Sequence, residues 1–187
     1  NKFQIPIFLS YGTYQMCQKK INDGYQINFE LIRNFDSFMI ENVLVSPIPV
    51  PHDAREPCQF RFDCQDKSIA IITDLGKITK HLVEKLSKVN LLVLEFNHDE
   101  MMLNSSDYPD SLKKRINGHY GHLENKESLK LLESINHLDL QWVIAAHLSE
   151  KNNHIALVKK MIFEIVDKKN SNVGIIDQEL GLEWVST

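Results

Sequence analysis

Along the first third of the chain, apolar positions come in short runs or alternate with polar ones, and the pattern predicts strands. IPIFLS (5–10) reads as a short buried strand, and TYQMCQKK (13–20) after it has helical composition. YQINF (25–29) and FMIENVLVSPIPV (38–50) carry the β-branched and aromatic residues typical of strands. CQFRFDC (58–64) alternates. QDK then turns it into the apolar run SIAIIT (68–73), which predicts a hairpin with a buried second strand.

Beyond this hairpin the period changes. Ile78, Leu82, Val83, Leu86 and Val89 are spaced as one face of a helix over 76–89. NLLVLEFN (90–97) is a buried strand, and DSLKKRIN (110–117) and ENKESLKLLESI (124–135) are amphipathic helices. QWVIAAHLS (141–149) is another apolar strand, and HIALVKKMIFEIVDKK (154–169) is a helix with basic residues near its end, as the helix dipole prefers. The tail VGIIDQELGLEWV (173–185) predicts two short strands with a turn at Gly181. A strand-rich half followed by alternating strands and helices predicts a single α/β domain over 1–187, its sheet covered by helices. No linker, low-complexity segment or internal repeat interrupts it.

Composition narrows the classes. The 187 residues are 43% hydrophobic and 25% charged, a globular balance. No apolar run reaches membrane-span length and no signal-peptide pattern is present, so no membrane partner is expected. Cys17, Cys58 and Cys64 are an odd set without zinc-type spacing, which favours a reducing, cytoplasmic setting, with Cys58 and Cys64 filling a strand face. A net charge of −4 excludes a generally basic nucleic-acid coat, although a local basic site or bound cations can still hold a phosphate. Eight histidines make metal chemistry worth testing.

Four stretches place chemistry at element ends. Asp74 follows a strand in ITDLG. Glu95, Asn97, His98 and Asp99 end another in LEFNHD. His119 and His122 lie in the Gly-rich turn of GHYGHLEN, and His147 ends a third strand in AAHLSEKNN. Side chains at the strand ends of an α/β sheet converge on one cleft. Imidazoles with carboxylates suit Zn²⁺, Mn²⁺ or Fe²⁺, and the Asp74 carboxylate could bridge two cations. Taken singly, each residue reads more simply as a turn, cap or satisfied buried group. His52 follows Pro47, Pro49 and Pro51, so it sits at a strand end or bend, where a surface histidine and a ligand are equally at home. His81 within a helix, His137 after one and His154 opening one read as surface or capping residues, and LKKRI (112–116) as a solvated helix face that could contact phosphates.

In these residues the sequence resembles the metallo-β-lactamase fold family, most of all its bacterial YycJ/WalJ-like exonuclease branch. PHDA, TDLG, NHDEMML, GHLEN and AHLSEKNN occur in that branch's order over nearly the whole chain. The resemblance implies an αββα sandwich. It implies His52 as a ligand of a first metal, Asp74 as the bridge and His147 as a ligand of a second. It gives His122 a role as proton donor or oxyanion stabiliser, with Glu95 orienting it. Asn97, His98, Asp99, Asn125 and Asn153 would lie on the substrate side, together with Asn152. Glu124 stands where the branch usually has Ser and would add negative charge near His122. The family's H-x-H-x-D-H motif is missing from the 187 residues. The chain is therefore expected to lack the N-terminal strands and metal loop, to bind metal weakly and turn over poorly by itself, and to self-associate through exposed apolar surface. For the parent protein the resemblance implies a two-metal phosphodiesterase, a nuclease acting on DNA more readily than RNA. A non-catalytic domain, and an RNase or cyclic phosphodiesterase of the same fold, remain alternatives.

Overall fold

A computed structural model describes residues 3, 5–21, 28–135, 137–166, 171–176 and 181–187. Its main sheet has seven strands in sequence order: β3 (Phe38–Ile40), β4 (Val43–Pro49), β5 (Cys58–Cys64), β6 (Lys67–Ile72), β7 (Leu91–Glu95), β8 (Trp142–Ala146) and β9 (Asn172–Ile175). β3 to β6 pair antiparallel, while β6 to β9 run parallel. A two-stranded parallel sheet, β1 (Ile7–Ser10) with β2 (Phe29–Ile32), flanks α1 (Tyr11–Ile21).

Parallel neighbours need crossovers, and right-handed crossovers taken in one direction put every helix on one face. Those crossovers are α2 (Lys80–Lys85), then α3 (Glu100–Ser105), α4 (Asp110–Ile116) and α5 (Asn125–Ile135), then α6 (Ile155–Ile165). Ser128, Leu131, Leu132 and Ile135 are the buried side of α5, at helical spacing. Of these, Leu131, Leu132 and Ile135 join Leu82, Leu86, Val158 and Ile162 in one core cluster with Ala70, Ile72, Leu92, Leu94, Val143 and Ala145 of the sheet. Each fully buried aliphatic side chain there contributes about 1.5–3 kcal/mol.

The sequence places these elements well, with three differences. α2 starts only at Lys80, because the Thr79 side chain accepts the Leu82 N–H and caps it there. α3 is an element that the sequence pattern does not predict: Asp99 caps it by accepting the Met102 N–H. The tail forms one strand, β9, and Gly181 takes the positive φ of a turn, but residues 182–187 form no second strand. Instead the tail crosses the sheet: Leu182 lies over Gly174, and the Ser186 carbonyl accepts the Trp142 indole N–H. Most of YQINF, the end of the 154–169 segment and residues 177–180 lie outside the described residues. Among the described residues no helix is long and apolar enough to cross a membrane.

Candidate metal centre

The parallel strands end in register, and the site grows from their carboxyl ends. Glu95 is the last residue of β7 and pairs with Ala146, the last of β8, so His147 emerges beside it. Asp74 lies just beyond β6, whose Ile72 is level with Leu94. Asp74 and His147 both hold left-handed backbone, at φ 53° and 57°, which turns each side chain out of its strand direction. A non-glycine residue there is uncommon, and such strain gathers at functional sites.

Gly76 and Gly121 let the loops close. A Cβ on Gly76 would strike the backbone of Gly118, His119 and Gly121, and one on Gly121 would strike the carbonyls of Arg115 and Ile116. The Gly76 N–H bonds the Pro51 carbonyl at 2.9 Å, which brings in the His52 loop. Asp74, Glu95, His122 and His147 then each present a ligand-type atom within 4.8 Å of the others. The Asp74 Oδ1 lies 3.6 Å from His147 Nε2, 3.8 Å from His122 Nδ1 and 3.9 Å from His52 Nε2. His52 is not one of the close group of four, but it borders the same carboxylate oxygen.

Glu95 ties the site together. It is fully buried. Its Oε1 takes His122 Nδ1 at 2.9 Å and His147 Nδ1 at 2.6 Å. Its Oε2 accepts the backbone N–H groups of Leu75 and Leu123 at 3.2 and 3.1 Å. A carboxylate has about four lone-pair positions, and all four are used. Burial works against the charge, yet these hydrogen bonds from His122, His147 and Leu123 hold the Glu95 pKa down at about 2. The same bond raises the pKa of His147.

The imidazoles are set as metal ligands usually are. His52 Nδ1 bonds the Gly121 carbonyl at 3.1 Å, and His147 Nδ1 bonds Glu95. A ring nitrogen held in this way fixes the tautomer and leaves Nε2 with its lone pair toward Asp74. The donor set of imidazole nitrogens and one uncommitted carboxylate fits a divalent cation.

The other sequence candidates lie beneath this cluster. His98 and Asn125 are fully buried and Asn153 nearly so. Asn125 and Asn153 exchange amide hydrogen bonds at 3.0 and 2.9 Å, and Asn153 also donates to the Phe96 carbonyl. Asn97 donates its amide to the His147 carbonyl, and its own carbonyl accepts the Ser149 N–H, which fixes the His147 loop. Asp99 caps α3, and Asn152 accepts the Asp99 N–H through its backbone. His98 and Asn125 support the loops from within, while Asn97 and Asp99 stay partly exposed and Asn153 lines the cavity beside His147. Glu124 accepts the Lys126 N–H at the start of α5 rather than pairing with His122. His154 caps α6 and His137 accepts the Asp139 N–H, as their positions in sequence suggest. The sequence marks LKKRI as a possible phosphate contact but not the pairing of Arg115 with Asp53, 62 residues away and joined to it at 2.6 Å beside His52. No spacing rule signals such a pair.

Burial lowers the His98 pKa below 6.5, against the opposing effect of the Asn117 side chain. A histidine kept neutral in the fold contributes stability above its unfolded pKa and loses it as pH falls through the folded value. Urea unfolding of the metal-free protein should therefore show stability falling as pH drops below about 6.5, with a smaller slope in His98→Gln. Equal slopes in the two proteins would exclude His98 as the cause.

A model of the beta-lactamase superfamily domain matches residues 3–147. The chain is 26% identical over 173 residues to exodeoxyribonuclease YycJ of Bacillus anthracis, covering 92% of this chain and 66% of that protein. It is 26% identical over 181 residues to exodeoxyribonuclease WalJ of Streptococcus pneumoniae serotype 2, covering 93% and 65%. The chain thus spans less than two thirds of the length of these relatives. Among solved structures, the metallo-beta-lactamase fold protein YhfI of Bacillus subtilis superposes with TM-score 0.69 at 12% identity, covering 96% of this chain and 64% of that one. A diphosphatase of the PhnP family superposes with TM-score 0.64 at 15% identity, covering 91% and 55%.

Proposed function

We propose that this chain, which belongs to the beta-lactamase superfamily, carries the core of a metal-dependent phosphodiesterase that cuts nucleic acid, DNA in preference to RNA. One observation carries the reading: a single Asp74 oxygen faces three imidazoles, two of them tied to one buried carboxylate. The two exodeoxyribonuclease relatives support the choice of a phosphodiester substrate.

His52, Asp74 and His147 would hold the cations, with the Asp74 carboxylate between them. Bound divalent metal supplies Lewis acidity toward a phosphoryl oxygen and lowers the pKa of water. The chain's own residues do the rest. Glu95 cannot add a metal bond without giving up one of its four hydrogen bonds, so it orients rather than ligates. Its hydrogen bond to Nδ1 fixes the His122 ring so that Nε2 is the nitrogen left to serve the leaving oxygen. Three protein donors match the usual set of a catalytic zinc, whose fourth position is left to water or substrate; a second cation would need donors beyond these three.

The test is an assay of the full gene product, supplied with Mn²⁺ or Zn²⁺, on single-stranded DNA, RNA and a cyclic nucleotide. DNA should be shortened from an end, and a chelator should stop it. A metal-loaded protein that leaves all three intact would refute the reading.

A further inference from the structure

The pair of Asp53 and Arg115 beside His52 lies outside the chemistry above. Asp53 stands on the loop of His52: its N–H bonds the Tyr120 carbonyl at 2.9 Å, and its Oδ1 lies 3.5 Å from His52 Nε2. Its Oδ2 takes only the Nε of Arg115, at 2.6 Å. The two Nη groups of Arg115 have no hydrogen-bond partner among the described residues, and the side chain is 67% exposed. The guanidinium is thus held at one edge while its other edge is open to solvent. On the same helix, Lys113 is committed to the Asn104 carbonyl.

The charge around the site explains the need for such a group. Asp53, Asp74 and Glu95 crowd one cleft in a chain of net charge −4. Cations at Asp74 would offset that carboxylate and receive one phosphate. A nucleic-acid strand brings the next phosphate a few ångströms further along, where Asp53 would repel it. A guanidinium anchored on Asp53 cancels that charge and offers two N–H edges in the fork geometry that suits phosphate.

We infer that Arg115, positioned by Asp53, binds a phosphate of the nucleic-acid strand next to the one being cut. This rests on the phosphodiesterase reading above. It makes Arg115 a substrate-binding residue, set apart from the bond-breaking groups, and Asp53 a positioning residue.

The test compares wild type, Arg115→Ala and Arg115→Lys in the full gene product. Binding of a short labelled single-stranded DNA is followed by fluorescence anisotropy in chelator across a salt series. Arg115→Ala should bind about tenfold more weakly, and the slope of log affinity against log salt should shrink by about 0.7, the value of one phosphate contact on a single strand. Arg115→Lys, which keeps the charge but loses the fork, should fall between. The loss in kcat/KM should be larger for DNA than for bis(4-nitrophenyl) phosphate, which has no second phosphate, and should fall on KM for DNA. Unchanged DNA affinity and slope would overturn the inference, as would equal losses on both substrates or a wild type that binds no DNA. A wild type that binds DNA and cleaves neither substrate would count against the phosphodiesterase reading alone, and the binding comparison would still decide Arg115.

Discussion

Glu95→Gln should destabilise the full gene product by about 3 kcal/mol or more, the cost of breaking a buried charged network. The wild-type carboxylate accepts four hydrogen bonds, two from imidazoles and two from the backbone. Glutamine offers one oxygen and one NH₂. Turned one way, its NH₂ faces the two backbone donors of Leu75 and Leu123; turned the other, it forces both imidazoles to change tautomer; each buried donor left unpaired costs about 1–3 kcal/mol. The effect should spread to the site. The Leu75 N–H places the Asp74 loop, the Leu123 N–H places the His122 loop, and both imidazoles lose their orientation. Metal affinity should fall by about 10- to 100-fold, as it does when the partners of metal-bound histidines are removed. Urea denaturation and a metal titration on the same protein check both numbers. A change in stability below about 1 kcal/mol would contradict the role given to Glu95.

Asp74→Asn should do the reverse: leave the fold intact and abolish the metal site. Asparagine is among the residues best suited to the left-handed backbone that Asp74 adopts, so the loop pays little for the change. The side chain is part-exposed, and its Oδ2 takes only the neighbouring Thr73 hydroxyl. Thermal melting without metal should shift by no more than a few degrees. The lost carboxylate is the only one in the cluster without a full set of hydrogen bonds, and it faces three imidazoles. Metal affinity should therefore drop by more than about 100-fold, beyond the loss expected for an orienting group. Calorimetric titration with Mn²⁺ or Zn²⁺ reads this directly. Wild-type affinity in Asp74→Asn would remove Asp74 from the site.

The contrast between these variants marks what the sequence makes legible. Asp74, Glu95 and His147 stand out because parallel strands end in polar residues at one edge of the sheet, and strand ends are readable from apolar runs. His52 needed the family resemblance, since its loop reaches the site through long-range backbone bonds at Pro51 and Gly121. The double duty of Glu95 could not be read at all: nothing in LEFNHD says that a carboxylate will meet the amides of Leu75 and Leu123. His98, Asn125 and Asn153 were legible as a motif but not as a support, because burial is decided by what packs over them. α3 is only six residues long and rests on the Asp99 cap, too short for a periodic signal. The tail reads as strand from composition, yet Leu182 and Ser186 find partners on the sheet face.

The most direct measurement is the position of the metal in crystals of the zinc-loaded protein, found by anomalous scattering. Zinc should lie about 2 Å from an Asp74 oxygen and from Nε2 of His147 or His52, with both Glu95 oxygens still bonded to their four donors. Zinc bonded to Glu95, or bound away from Asp74, would contradict the site described here.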